Sequence, residues 1–272
     1  MVYKMKNDLK IRIISAVVAL IIVIPLLIVG GFPFYTGVGI IGVIGFNEML
    51  MLIDKEKKLP NFVKYIAMIC FITFVIFNVK GTDFNISYQL LLVSPLVILL
   101  PLLVYGDNKK YNSNDAFHLL GIILFLGISF HYLIILRNIS IHTLLYLLFI
   151  TIMTDTFAHF FGVNVGKNKL CPTISPNKTI EGMVGGTFFG TFIGMVYYLT
   201  FVNTSANVLV VILITLFLSL VAQFGDLVFS MIKRKYDVKD YGNIMPGHGG
   251  VIDRLDSIIF AMLAFSYLVS LF

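Results

Sequence analysis

The sequence predicts an all-α, polytopic integral membrane protein with about nine transmembrane helices and a cytoplasmic N-terminus. Three observations carry that expectation. The 272 residues are 58% hydrophobic and only 12% charged, where a soluble domain carries about 25% charged residues. The mean hydropathy is +0.96, and apolar runs near the roughly 20 residues needed to span a bilayer recur along the whole chain. The Lys and Arg residues, finally, fall almost entirely into alternate connectors.

The apolar runs cover residues 11–29, 34–53, 62–79, 87–105, 116–136, 142–161, 179–201, 207–232 and 251–272. The first follows Lys4, Lys6 and Lys10 and has Arg12 at its start. It is longer than the apolar core of a signal peptide, and no small-residue cleavage site follows it, so it reads as a retained span. Pro25, Pro95 and Pro101 fall within apolar runs and are expected to kink them. In the seventh span Gly182, Gly186, Gly190 and Gly194 recur every four residues, a face on which a neighbouring helix can approach closely. Cys70 and Cys171 show neither a disulfide framework nor metal-ligand spacing.

With the N-terminus inside, sixteen of the twenty Lys and Arg residues lie in cytoplasmic segments, and only Lys80 and Arg137 lie outside. One missed or extra helix would scramble that alternation. The net charge of +6 follows mostly from this topology. The first five spans are bland apart from Glu48, which lies with Asn47 about two turns from the cytoplasm. It either joins a polar cluster or snorkels to the interface, and it is given no role. Residues 1–140 thus read as a scaffold for lipid contact and dimerisation. Residues 141–272 read as a catalytic part with cytoplasmic loops at 162–178 and 233–250.

Ionisable residues inside spans are costly and mark function, and three stretches concentrate them. The first runs from Asp155 and His159, four apart on one helix face, to the string Ser175-Pro176-Asn177-Lys178-Thr179-Ile180-Glu181-Gly182. Pro176 is expected near a helix start, with Lys178 and Thr179 in the first turn, where backbone N–H groups suit a phosphate. The glycines from Gly162 to Asn168 miss the P-loop pattern, because their spacing is one short and a helix precedes them. The second stretch is a polar stripe along the eighth span: Ser219, Gln223, Asp226, Ser230 and Lys233, with Arg234 beside it. The third runs from Lys239 and Asp240 through His248, flanked by glycines including Gly249 and Gly250, to Asp253, Arg254 and Asp256. Asp253 and Asp256 share a helix face. With Asp226 they can make an oxygen-rich site of the kind Mg²⁺ prefers.

The run from Ser230 to Asp256 resembles the signature of the phosphatidate cytidylyltransferases (CDP-diacylglycerol synthases) at Ser230, Lys233, Arg234, Lys239, Asp240, Pro246, His248, Gly249, Gly250, Asp253, Arg254 and Asp256. Gln223 to Leu227 and the string from Ser175 to Gly182 are similar to the family in the right order. The likeness covers residues from about 150 to the end. His159 stands where members often carry Tyr, which leaves the role of that position open.

The resemblance implies transfer of CMP from CTP to phosphatidic acid, giving CDP-diacylglycerol and pyrophosphate for phospholipid biosynthesis. It implies Mg²⁺ held by Asp226, Asp253 and Asp256, in some members with a monovalent cation such as K⁺ beside it. Lys233, Arg234, Arg254 and His248 are expected to serve catalysis. Asp155, Ser175, Lys178, Thr179, Glu181, Gln223, Ser230, Lys239, Asp240, Gly249 and Gly250 are expected to bind substrate. The expected partners are CTP, phosphatidic acid, membrane lipid and a second copy of the chain, without nucleic acid. The expected location is a bacterial inner membrane, with the site facing the cytoplasm. Alternatives are a polyprenol kinase, a CDP-archaeol synthase and, more distantly, an ion-coupled transporter, although no internal repeat of the transporter kind is evident. Asn85, Asn138 and Asn203 lie in N-x-Ser/Thr strings that matter only in a secretory-pathway host.

Overall fold

The computed structural model describes residues 2–77, 79, 88–106, 110–247 and 249–270. His248, Asn85, Lys80 and Lys109 lie outside the described residues. The chain is largely helical: α1 (Val2–Val29), α2 (Gly31–Glu56), α3 (Asn61–Ile76), α4 (Tyr88–Leu99), α5 (Pro101–Tyr105), α6 (Ser113–Ile139), α7 (Ile141–Asn164), α8 (Ile180–Tyr197), α9 (Val208–Lys235) and α10 (Ile252–Ser270). A π-helical turn, Tyr198–Val202, continues α8. Between α7 and α8 stands an antiparallel hairpin, β1 (Lys169–Cys171) and β2 (Ser175–Thr179).

Among the described residues, six helices are long and apolar enough to cross a membrane: α1, α2, α6, α7, α8 with its π-helical turn, and α9. The third and fourth expected spans are shorter. α3 has 16 residues, and the fourth breaks where α4 ends at Leu99 and Pro101 opens α5, because proline cannot donate the N–H that would continue the helix. α10 has 19 residues but carries Asp253, Arg254 and Asp256 in its first turns, which shortens its apolar stretch.

The residues fall into two compact units, 1–138 with 240–254, and 139–239 with 255–272. In the first, α2 and α3 pack together, and their core is aromatic. Phe46 stacks on Phe71 at 4.7 Å between ring centroids, and Phe71 meets Phe130 of α6 edge-on at 6.2 Å. Gly42 leaves the room that Phe71 and Phe130 fill. Asp54 pairs with Lys64 and Asp115 with Lys57. Arg137 donates to the carbonyls of Leu27 and Ile28 (2.6 and 2.9 Å), satisfying the open end of α1. Large apolar side chains on α1, such as Ile13, Ile21 and Ile28, are exposed, which suits a lipid-facing helix.

In the second unit α7, α8 and α9 pack against one another, most extensively α7 with α8. The glycine stripe is the reason. A Cβ at Gly186 would lie 2.6 Å from the Thr154 carbonyl oxygen, and one at Gly182 would lie 2.6 Å from that of Ala158. Only hydrogen lets the two backbones come so close. Buried hydroxyls join the helices further, with Thr154 Oγ1 2.7 Å from Ser219 Oγ and Tyr146 Oη 2.7 Å from Thr215 Oγ1.

One local expectation is corrected. Helix α8 does not start near Pro176, and Lys178 is not in its first turn. Residues 175–179 are strand β2, where Lys169 pairs with Thr179 and Cys171 with Ser175. The helix starts at Ile180 because Thr179, in extended conformation, accepts a hydrogen bond from Gly182 N (3.1 Å) through its hydroxyl. Pro176 is tolerated on an edge strand that needs no donor from it.

Candidate active site

The polar stripe of α9 faces the hairpin and two neighbouring helices within the second unit. Asp155 of α7, Asp226 of α9 and Asp256 of α10 lie close enough to repel one another. Such a cluster needs cations in a low-dielectric setting, and two lysines supply them. Lys178 Nζ on β2 lies 2.6 Å from Asp226 Oδ2. Lys233, two turns beyond Asp226 on α9, attracts Asp256 and is itself buried. Ser230 Oγ donates to Asp226 Oδ1 (3.3 Å), and Ser257 N donates to Asp256 Oδ1 (2.7 Å). The cluster grades inward, from exposed Asp155 through half-buried Asp226 to buried Asp256.

Ser257 Oγ stands near Asp155. It is buried, with Asp155 as its polar neighbour. The carboxylates of the cluster are hard oxygen donors, the type Mg²⁺ prefers. Among the described residues, no group of three or more His, Cys, Asp or Glu side chains is placed to hold a metal ion by itself. Mg²⁺ does not require one, since it is commonly held by one or two carboxylates together with substrate phosphates and water.

The hairpin is braced rather than loose. Glu181, in the first turn of α8, accepts from Lys167 N, Asn168 N and Asn168 Nδ2 (3.1, 3.2 and 2.7 Å). Arg234 donates from Nε to the Ile174 carbonyl at the hairpin turn and from Nη1 to the Val238 carbonyl (3.2 and 3.3 Å). These contacts fix the base that carries Lys178. Ser175 opens β2 and is half-buried. Gln223 Nε2 donates to Thr187 Oγ1 of α8 (2.8 Å). His159 is exposed one turn after Asp155, and Lys239 is exposed beyond α9.

The first unit holds the glycine-rich loop ahead of α10. Met245 N donates to the Gly249 carbonyl (3.0 Å), closing a turn in which Gly247 and Gly249 have φ of 78° and 84°. A side chain at Gly249 would be strained by its φ and would lie 2.9 Å from Asp253 Oδ2. Asp253 Oδ2 accepts from Tyr241 N and Gly250 N (2.7 and 2.9 Å). Exposed Asp240 packs its Cβ near Gly249, and Arg254 is exposed.

Sequence reasoning did not find Ser257, which carries no pattern of its own beside Asp256. It noticed Glu48 without finding a partner. The carboxylate does not snorkel: Glu48 is fully buried, and its partners are the backbone amides of Val251 and Ile252. A backbone donor leaves no mark in a sequence.

Residues 10–272 match the Cytidylyltransferase family. The chain is 36% identical over 271 residues to a protein of Bacillus subtilis named phosphatidate cytidylyltransferase, covering 97% of this chain and 99% of that one. It is 35% identical over 255 residues to a protein of the same name from Staphylococcus aureus, covering 93% and 96%. Against one from Staphylococcus haemolyticus it is 35% identical over 256 residues, with the same coverage.

Proposed function

The chain belongs to the cytidylyltransferase family, and we propose on that premise that it transfers CMP from CTP to phosphatidic acid, releasing pyrophosphate and yielding CDP-diacylglycerol. The observation that carries the proposal is the end-to-end match to proteins named for this reaction, at 36% identity over 97% of the chain. The carboxylate and lysine cluster supplies chemistry suited to it.

A phosphate oxygen of phosphatidate attacks the α-phosphorus of CTP. The bond from that phosphorus to the bridging oxygen breaks, and pyrophosphate leaves with the electron pair. The second pKa of a phosphomonoester is about 6, so the nucleophile is largely deprotonated at neutral pH and no dedicated base is needed. The difficulty is to bring two polyanions together and hold them in line. Lys178, beside Asp226, and Lys233, near Asp256, offset phosphate charge. Arg234 holds the hairpin that presents Lys178. Ser175 and Ser230 offer hydrogen bonds to phosphate oxygens, and Gly249 and Gly250, without side chains, let a phosphate approach the loop backbone. By their match to the family's sequence signature, Asp226, Asp253 and Asp256 would hold Mg²⁺, which when bound would neutralise charge on the CTP phosphates.

Nine crossings with the N-terminus in the cytoplasm of a bacterial inner membrane complete the reading, together with a homodimer. The concentration of Lys and Arg in alternate connectors supports the topology. CTP then enters from water and phosphatidate sideways from the inner leaflet. The test is purified protein in mild detergent with Mg²⁺, phosphatidate and CTP labelled at the α or the γ phosphate. Label from the α position entering the lipid while γ label leaves as pyrophosphate is the expected result, abolished in Asp226→Asn. Label from the γ position entering a lipid would make the enzyme a kinase and overturn the proposal.

A further inference from the structure

Glu48 is the one fully buried carboxylate among the described residues. It sits on α2, and its two oxygens divide two successive amides at the start of α10. Val251 N donates to Oε1 and Ile252 N to Oε2, both at 2.9 Å. The preceding amide, Gly250 N, goes to Asp253 Oδ2 at 2.9 Å, and the same oxygen receives Tyr241 N. Two carboxylates thus take three consecutive donors at a helix N-terminus, where negative charge is favoured. They also lie close enough to repel one another.

The loop is shaped around Glu48. A Cβ at Gly242 would lie 2.6 Å from Glu48 Oε1, and one at Gly250 would lie 2.5 Å from it. Neither glycine has a positive φ, so what forbids a side chain at these positions is the carboxylate rather than the backbone conformation. Burying an acid in an apolar span is expensive. A capping role alone could be filled from the adjacent sequence by Ser, Thr, Asn or Asp at far smaller cost.

We infer that Glu48 is a positioning residue for the transferase. It clamps the first turn of α10 from a distant helix, and so sets the loop amides and the Asp253 carboxylate. This rests on the proposed reaction, with Asp253 serving its metal. With the amides at 251 and 252 committed to Glu48, Asp253 takes those at 241 and 250, and its orientation follows. If the clamp is lost, Asp253 can swing to the vacated amides.

The test uses Glu48→Gln, which keeps the volume but offers one acceptor oxygen and turns an NH₂ group toward a donor. Wild type, Glu48→Gln, Asp253→Asn and the double variant are compared by α-label transfer against Mg²⁺ concentration. Melting temperature is measured with and without Mg²⁺ and CTP, and hydrogen exchange is followed over residues 249–254. The expected result is a cooperatively melting Glu48→Gln protein with faster exchange in that segment. It needs about 10-fold or more Mg²⁺ for half-maximal rate, the usual scale for losing an outer support of a metal ligand, while KM for phosphatidate stays unchanged. Its melting shift with Mg²⁺ and CTP shrinks, and the double variant shrinks no further than Asp253→Asn alone.

Gly242→Ala, which pushes the carboxylate away without removing it, should raise the Mg²⁺ requirement in the same way. A wild-type Mg²⁺ requirement in Glu48→Gln overturns the inference, as does full additivity with Asp253→Asn. So does loss of cooperative melting in both Glu48→Gln and Gly242→Ala, which would make Glu48 a folding residue only. Inactivity of the wild type itself would instead defeat the proposed function.

Discussion

Lys178 Nζ on the hairpin lies 2.6 Å from Asp226 Oδ2 on α9, and both side chains are about a quarter exposed (27% and 26%). An ion pair so placed adds little to stability, within about 1 kcal/mol. Under the proposed function the pair would keep a cation ready for substrate phosphate and a carboxylate ready for Mg²⁺.

Lys178→Met should therefore lower kcat/KM for CTP by about 100-fold, the scale of one lost electrostatic contact to the transition state. Its melting temperature should stay close to that of the wild type. Steady-state transfer of α label and a thermal melt on the same preparation check both halves. A large loss of stability with little loss of rate would contradict this reading of the pair.

Metal removal gives a second expectation. Chelation should abolish transfer reversibly, and added Mg²⁺ should restore it in the wild type. Asp226→Asn and Asp256→Asn should each stay at least about 100-fold slower at saturating Mg²⁺. Ca²⁺ prefers more ligands at longer distances than Mg²⁺, so it should restore little. Activity that survives chelation would remove the metal from the reaction.

The close approach of α7 and α8 is tested at Gly186. An added methyl would meet the Thr154 carbonyl oxygen at 2.6 Å and Ala158 N at 3.0 Å, and backbone atoms of a packed helix cannot rotate away. Gly186→Ala should cost about 1–3 kcal/mol or more, read as a lower melting temperature or a lower yield of folded protein in detergent. A melting temperature at or above the wild-type value would show that the helices can part at no cost.

A pH effect is expected at Tyr111, in the connector before α6. Its hydroxyl donates to the Ile98 carbonyl at 2.7 Å. Burial, reinforced by the charge of Asp115, pushes its phenol from 10 up to about 12. The folded state therefore favours the neutral form. That contribution is complete below pH about 10 and is lost as pH rises to about 12, a difference of roughly 2–3 kcal/mol. Alkaline melts should show this loss in the wild type, and Tyr111→Phe should flatten it. At neutral pH that variant should cost about 1 kcal/mol for the lost hydrogen bond.

Much of the architecture was legible in the residues themselves, because a bilayer leaves a chain few options. The apolar runs forecast α1, α2, α6, α7, α8 and α9 as spanning-length helices, since backbone groups in hydrocarbon must be satisfied within the segment. The glycines of α8 were readable as a packing face for the same elementary reason. The hairpin was not, because its strands are three and five residues long and their polar composition forms no alternating pattern. The true start of α8 was hidden with it, since Ser175, Pro176 and Thr179 all suit a helix start and only strand pairing chooses among them.

By itself the sequence determined the membrane class and the family, and it named candidate polar residues. Hydropathy and motif spacing are written along the chain. Tertiary structure alone decided what those residues face. It put Lys178 on Asp226, set Ser257 beside Asp155, and buried Glu48 against the amides of residues 251 and 252. Each is a contact between segments distant in sequence, and the last is made to backbone atoms that every residue carries alike, so no pattern of side chains could announce it.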